Sequence, residues 1–142
     1  MLPMIARRDA AQAAVDRFDG RPFAWGKNDC VRLSAFVLRK LGHKPNLARA
    51  GSYSSLLGAK RALARTGFAK LEDALDALGL PRIPPAAAAT GDIVGLPGEG
   101  DWTALTVAVG NGRVLGFMEG RGGIMQPVAP LVAWRVDPCR KP

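Results

Sequence analysis

The spacing of apolar residues changes from a helical to a strand-like period at one proline-rich segment, residues 81–89 with the sequence PRIPPAAAA. Upstream of it, apolar residues such as Ile5, Ala10, Ala14 and Phe18 recur every three or four positions, which is typical of amphipathic helices. Downstream of it, short runs of alternating apolar and polar residues lie between glycines, which is typical of strands. Helices first and strands afterwards predict an α+β domain.

We predict a single domain over residues 1–142, because a chain of this length is about one domain long. Its predicted parts are a helical part at about 4–79, a connector at 80–90, a β-sheet part at about 91–137 and a tail at 138–142. The predicted strands, which we expect to form an antiparallel meander, cover 92–95, 103–109, 113–118 and 131–136. Asn111-Gly112 between the second and third strands is a strong signal for a type I′ hairpin turn.

The best-signalled helix follows Asp29, which is a favoured N-cap residue, and ends at Gly42. Two further helices are expected at about 54–66, ending at Gly67, and at about 70–78, ending at Gly79. Cys30 lies in the first turn of the helix after Asp29, where the helix dipole and the nearby Lys27 and Arg32 would stabilise a thiolate. Cys30 is therefore a candidate nucleophile, and a small buried hydrophobic residue is the alternative interpretation.

The net charge of +8 is unevenly distributed. Residues 1–70 carry 14 basic and 4 acidic side chains, whereas residues 71–142 carry 6 basic and 8 acidic ones. Few aromatic residues lie among the cations, so we expect no specific nucleic-acid binding. No apolar run approaches the roughly 20 residues that cross a bilayer, so we expect a soluble chain without a membrane span.

Several segments together resemble the NlpC-type cell-wall endopeptidases, which are papain-like cysteine peptidases. They are Trp25-Gly26-Lys27-Asn28-Asp29-Cys30 before a helix, Gly91-Asp92-Ile93-Val94 opening a strand, and Gly110-Asn111-Gly112 between two strands. The resemblance covers roughly residues 15–136. With Gly51-Ser52-Tyr53, Gly67 and Ala133-Trp134-Arg135, the pattern looks most like a compact branch of this superfamily found among bacteriophage tail genes.

The resemblance implies a papain-like fold with Cys30 as the nucleophile and without a cofactor or metal. The family's catalytic histidine would fall at Ala104 and its third polar residue at Gly116, so both catalytic partners are missing. The single histidine, His43, follows the far end of the Cys30 helix and is expected to be a solvated helix-end residue. Asp29, Asp101 and Thr103 are the remaining candidates for an unorthodox base.

Other residues have mainly structural interpretations. Trp25 and Trp134 are expected in the core, and Asp92 is expected to support the start of a strand or a turn. Trp102 is expected to be exposed and, with Arg32 and Lys27, is a candidate for partner contacts. Residues 119–124, EGRGGI, are expected to form a glycine-rich loop. Cys139 could pair with Cys30, reach a partner's metal site or remain a free terminal thiol.

The missing partners favour a structural or assembly component of a phage tail tip or baseplate over an active enzyme. Its expected partners are other tail or baseplate proteins, and it would be assembled in the host cytoplasm and carried in the virion. One alternative is an active cysteine peptidase that cleaves peptidoglycan stem peptides during DNA entry. Another is a module that binds peptidoglycan or nucleic acid through the basic half without cutting it.

Overall fold

The computed structural model describes residues 2–45 and 51–139, so part of the helical region and residues 140–142 of the tail lie outside the description. In the described residues, four α-helices precede the sheet: α1 (Pro3–Phe18), α2 (Cys30–Lys40), α3 (Leu56–Arg65) and α4 (Leu71–Ala77). Each lies within about two residues of its predicted position. The predicted glycine stops are also present, since Gly42, Gly67 and Gly79 all have positive φ, the conformation in which a helix commonly ends.

Six strands form one antiparallel sheet in the described part of the chain. They are β1 (Arg82–Ile83), β2 (Ile93–Pro97), β3 (Thr103–Gly110), β4 (Arg113–Met118), β5 (Arg121–Met125) and β6 (Val132–Trp134). Asn111 and Gly112 join β3 to β4 with φ of 56° and 71°, which confirms the predicted type I′ turn. The α+β prediction is confirmed.

The order of the strands is β1-β6-β2-β3-β4-β5, so the sheet is not a simple meander. The meander runs from β2 to β5, and the chain then returns to place β6 between β2 and β1. The predicted connector contributes the edge strand β1 and a 3₁₀ helix at Pro85–Ala87. The sequence gives no sign of β1, because the pairing of Arg82 and Ile83 with β6 depends on residues about 50 positions away.

The glycine-rich run at 119–124 forms a hairpin and not a loop, which corrects the sequence interpretation. Glu119 and Gly120 both have positive φ, of 53° and 84°, and turn the chain from β4 into β5. The outer edge of β5 is covered by the segment after α1, where Gly20 N–H donates to the carbonyl of Gly122 at 2.9 Å. β5 is thus defined by neighbours on both sides, although its own sequence lacks the alternation of a strand.

The two faces of the sheet are covered differently. α1 and α2 pack on one face around a large core that includes Leu33, Val37, Val107 and Leu115. The opposite face carries a smaller cluster made of Val94, Leu96, Ala108, Val114 and Ala133. Since side chains alternate along a strand, adjacent residues of β3 belong to different clusters.

A buried carboxylate joins α1 to the sheet and to the C-terminal segment. Asp92 is fully buried and accepts hydrogen bonds from Arg7 at 2.7 Å, Arg135 at 3.0 Å and the backbone N–H groups of Ala89 and Val136, both at 2.9 Å. Asp92 therefore supports the strand start, as predicted. Trp134 is fully buried, and Trp25 is partly buried against the core, so both are core residues as expected. None of the helices in the described ranges is both long and apolar enough to cross a membrane.

Candidate functional site

The start of α2 is held by the carboxylate of Asp29. One oxygen accepts from the N–H of Arg32 at 2.8 Å, as an N-cap does, and the other accepts from the N–H of Gly26 at 2.7 Å. Asp29 is fully buried, and both of its oxygens are occupied by these contacts. Its geometry is that of a structural cap, which argues against its use as a catalytic base.

The backbone conformation explains why glycine follows Trp25 in the loop before α2. Gly26 has a φ of 81°, and a Cβ at this position would collide with the carbonyl oxygen of Tyr53. Glycine is therefore required where the loop before α2 meets the segment before α3. The close approach places the Tyr53 ring beside Arg32, whose guanidinium lies 5.7 Å from the ring centroid.

Cys30 lies at the predicted place, but its chemistry differs from the expectation. The residue is only 9% exposed. Burial raises the pKa of the Cys30 thiol to about 11, and the charge of Asp29 raises it further. The backbone of Leu105 and the indole of Trp102 oppose this rise without cancelling it. The predicted net lowering of the Cys30 pKa is therefore wrong, because desolvation disfavours the charged form more strongly than the helix start favours it.

The sheet presents apolar and hydroxyl side chains to Cys30. Leu105 belongs to the same core cluster as Cys30, and Thr103 is on the same face of β3. Ala104 lies in the cluster on the opposite face, where Gly116 meets the Thr106 methyl group. The prediction that Ala104 and Gly116 stand at the partner positions needs correction, since both face away from the sulfur.

The alternation of side chains along β3 gives the physical reason for the correction. Leu105, Val107 and Val109 belong to the core that contains Cys30, whereas Ala104 and Ala108 pack on the other side of the sheet. The odd-numbered residues of β3 therefore face the sulfur. The sequences of β3 and β4 contain no histidine and no carboxylate that could face Cys30.

The other candidate bases are engaged elsewhere. Asp101 accepts from the Lys60 ammonium at 2.7 Å, and this contact lowers the pKa of the Asp101 carboxyl. Thr103 donates to Glu72 at 2.9 Å. His43 lies beyond the far end of α2, where Nε2 is 2.7 Å from the carbonyl oxygen of Asp137. His43 is thus a helix-end residue, as predicted, but it holds the C-terminal segment.

Trp102 is 8% exposed, so its prediction as an exposed contact residue is wrong. The ion pair of Asp101 with α3 and the hydrogen bond of Thr103 with α4 hold the residues on either side of it against the helices. The indole then packs against Trp25, with ring centroids 6.5 Å apart. This burial depends on contacts 31 and 41 positions away in sequence.

The two cysteines do not form a disulfide. Both are free, Cys30 being buried and Cys139 exposed. The backbone N–H of Cys139 donates to the carbonyl of Leu41 at 2.7 Å, so this part of the tail is attached to the end of α2. Among the described residues, no group of three or more His, Cys, Asp or Glu side chains could hold a metal ion.

A cavity of about 240 Å³ lies next to Cys30, between α2, α3, α4 and the start of β3. Three buried polar atoms in its lining residues have no hydrogen-bond partner in the described structure: Nε of Arg32, the hydroxyl of Tyr53 and Nε1 of Trp102. The Trp102 indole is near enough to Cys30 to influence its pKa, but its N–H makes no hydrogen bond of ordinary geometry to the sulfur. No local sequence pattern predicts this cavity, because its lining combines residues of α2, α3, α4 and β3.

A second hollow lies on the outer side of α2 and is rich in cations. Its lining consists of five basic residues and two phenylalanines: Arg17, Lys27, Arg32, Arg39, Lys40, Phe18 and Phe36. We call this surface the basic face. It includes Arg32 and Lys27, the two remaining residues predicted to contact a partner.

Comparison with known proteins identifies a family, but this family has no assigned function. A family model described as a domain of unknown function (DUF6950) matches residues 5–136, which is nearly the whole chain. No curated protein matches the chain.

Proposed function

The chain belongs to the DUF6950 family, and we propose that it is a non-catalytic assembly subunit of a bacteriophage tail tip or baseplate, built on a papain-like, NlpC-type scaffold. The phage assignment rests on the resemblance of the Trp25–Cys30 segment and the later strand and turn segments to a tail-associated branch of that superfamily. The α+β architecture, with Cys30 at the start of a helix that packs on an antiparallel sheet, is compatible with such a scaffold.

The environment of Cys30 is the observation that carries the non-catalytic part of the proposal. A cysteine peptidase needs a base within hydrogen-bond reach of its sulfur and a third group that orients the base. The sheet face toward Cys30 offers Thr103 and Leu105, neither of which is a base. The raised pKa of the thiol further lowers the fraction of the nucleophilic thiolate at neutral pH.

The basic face supports the assembly part of the proposal. No carboxylate lines this surface, and its cations make no ion pair with a carboxylate among the residues described. Instead, the Lys40 ammonium lies 5.4 Å from the centre of the Phe36 ring, and the Arg17 guanidinium lies 4.9 Å from that of Phe18. Unpaired cations beside the half-buried ring of Phe36 are complementary to an acidic protein surface. We therefore assign the basic face to an acidic neighbouring subunit.

Complementation of a phage that lacks this gene would test both parts. The Cys30→Ala variant should restore tail assembly, because the sulfur has no catalytic role in the proposal. The double variant Arg39→Glu/Lys40→Glu should fail to restore assembly, because it reverses two charges of the basic face. The double variant Arg61→Glu/Arg113→Glu is the matched control, since both residues are exposed and lie outside the basic face.

Incubation of the purified protein with peptidoglycan sacculi would test the alternative of an active peptidase. We expect no release of stem peptides. Peptide release that the Cys30→Ala variant abolishes would overturn the non-catalytic proposal. Normal tails with the Arg39→Glu/Lys40→Glu variant would overturn the role of the basic face. Binding of this face to nucleic acid in place of an acidic subunit would also contradict it.

A further inference from the structure

The cavity beside Cys30 has an aliphatic wall built by three helices. Its volume is about 240 Å³, somewhat below that of typical drug-binding pockets. The wall residues include Leu38 from α2, Ala59, Ala62 and Leu63 from α3, and Ala74 and Leu75 from α4. A wall of this kind favours an aliphatic group over a polar one.

Three of the lining residues carry hydrogen-bond donors that lack an acceptor. The Nε of Arg32, the hydroxyl of Tyr53 and the Nε1 of Trp102 are all buried without a partner in the described structure. Trp102 is 8% exposed, so water does not reach its N–H freely. A buried donor without a hydrogen bond lowers the stability of the fold. A ligand that supplies acceptors to these three donors would remove this penalty.

The other polar lining groups are already satisfied or are cationic. The Ser34 hydroxyl donates to the carbonyl of Cys30 at 2.9 Å, and the Thr66 hydroxyl donates to that of Leu63 at 2.6 Å. Lys44 lines the cavity and is exposed, so it adds a second positive charge beside that of Arg32. No Asp or Glu is among the lining residues.

We propose that this cavity binds a small aliphatic carboxylate, with its chain against the leucine and alanine wall and its carboxylate oxygens accepting from Arg32, Tyr53 and Trp102. An ionised carboxylate only accepts hydrogen bonds, and its two oxygens can accept from all three donors. Its negative charge matches the two cations, and the guanidinium of Arg32 strengthens the hydrogen bond. This site shares Arg32 with the basic face, but Tyr53, Trp102 and the aliphatic wall lie outside that face.

Isothermal titration calorimetry of the whole chain with octanoate at pH 7.5 would test the proposal. We expect saturable binding at one site, with a negative heat-capacity change from burial of the chain. Octylammonium has the same chain length but carries a positive charge and no acceptor, so it should bind at least about tenfold more weakly.

Two variants and one control locate the site. Tyr53→Phe removes one donor and keeps the ring, so it should weaken octanoate binding by about three- to tenfold. It should change the stability of the unliganded protein only slightly, because the hydroxyl lies near Asp29 but makes no hydrogen bond of ordinary geometry to it. Ala62→Phe fills the cavity and should reduce the affinity at least about tenfold. Ala64→Phe is the matched control, because Ala64 is an exposed residue of α3 outside the cavity and should leave binding unchanged.

Three results would overturn the proposal. They are the absence of saturable octanoate binding, binding of octylammonium as tight as that of octanoate, and full octanoate affinity in the Tyr53→Phe variant. Tyr53→Phe keeps the test decisive if Ala62→Phe fails to fold. Tail assembly that depends on Arg39 and Lys40 would be unaffected by any of these results, so the two proposals fail independently.

Discussion

Two effects act in opposite directions on the Cys30 thiol. The N-terminal end of α2 favours a thiolate, as do Leu105 and Trp102, whereas burial and the Asp29 charge disfavour it. Burial is the largest of these effects and determines the sign of the pKa shift. A cysteine at a helix start is therefore reactive only where solvent or a cationic partner reaches the sulfur.

Cys30 should react slowly with iodoacetamide at neutral pH. A rise in pKa from 9.0 to about 11 lowers the thiolate fraction about a hundredfold, and burial also limits access. Mass spectrometry of the native protein should show alkylation at the exposed Cys139 first. A Cys139→Ser variant whose Cys30 reacts as fast as a free thiol would contradict this prediction, and unfolding in denaturant should make Cys30 reactive.

The same pKa shift predicts a loss of stability at alkaline pH. A thiol whose pKa is raised in the folded state stabilises the fold fully below its unfolded pKa, and this contribution is lost as pH rises from about 9 to about 11. The loss should be on the order of 2 kcal/mol at the upper end of this range. Urea unfolding of wild type and Cys30→Ala at pH 8 and pH 11 would measure it. An equal decline in both proteins would show that Cys30 is not responsible.

At the scale of elements, β5 illustrates how neighbours can define a strand. Arg121–Met125 contains two glycines and little alternation, but it pairs with β4 along its length. On its other side the loop after α1 donates and accepts hydrogen bonds, including one from Gly122 N–H to the Arg21 carbonyl at 2.8 Å. This loop covers an edge that would otherwise be open to pairing with other chains.

Two adjacent glycines of β5 should differ sharply in their tolerance of alanine. A Cβ on Gly122 would collide with the backbone carbonyl of Phe18, whereas a Cβ on Gly123 would meet nothing within 4 Å. Gly122→Ala should therefore lower the free energy of unfolding by about 2 kcal/mol or more, as overpacking does. Gly123→Ala should change it by less than about 1 kcal/mol. Thermal or urea unfolding would decide, and similar values for both variants would show that the contact with Phe18 is unimportant.

At the scale of the whole molecule, Asp92 connects three parts of the chain that are distant in sequence. Its carboxylate is fully buried between Arg7 of α1 and Arg135 after β6, and Arg7 also contacts Asp137 at 3.1 Å. A buried carboxylate of this kind is compatible with a stable fold only while its partners remain, because loss of a partner leaves a charge buried without compensation. The network thus fixes α1 and the C-terminal segment against the same end of the sheet.

Removal of the Asp92 carboxylate should be strongly destabilising. Asp92→Ala leaves two arginines without their buried partner and removes acceptors from two backbone N–H groups, so we expect a loss of about 3–5 kcal/mol. Asp9→Ala is the control, because its pair with Arg8 is 3.5 Å long and exposed, and it should cost less than about 0.5 kcal/mol. Chemical unfolding of both variants would test the difference. A loss below 1 kcal/mol for Asp92→Ala would contradict the proposed role of the network.

The sequence by itself determined the features that depend on neighbours a few residues away. The Asp29 cap, the glycine stops of the helices and the Asn111-Gly112 turn are local hydrogen-bonding and φ preferences, and all are present as predicted. The lack of a histidine near Cys30 was also readable, because the chain has only one and α2 separates the two residues.

Only the tertiary structure decided which side chains are buried and which face the site. Trp102 is buried because α3 and α4 hold the residues on either side of it, and β5 exists because the distant segment after α1 pairs with it opposite β4. The packing of α2 on the sheet decided that the odd-numbered residues of β3, and not Ala104, face Cys30, and desolvation reversed the expected shift of the thiol pKa. The burial of a side chain and the side of the sheet on which it lies both depend on contacts with the whole chain. Local spacing in the sequence therefore could not predict them.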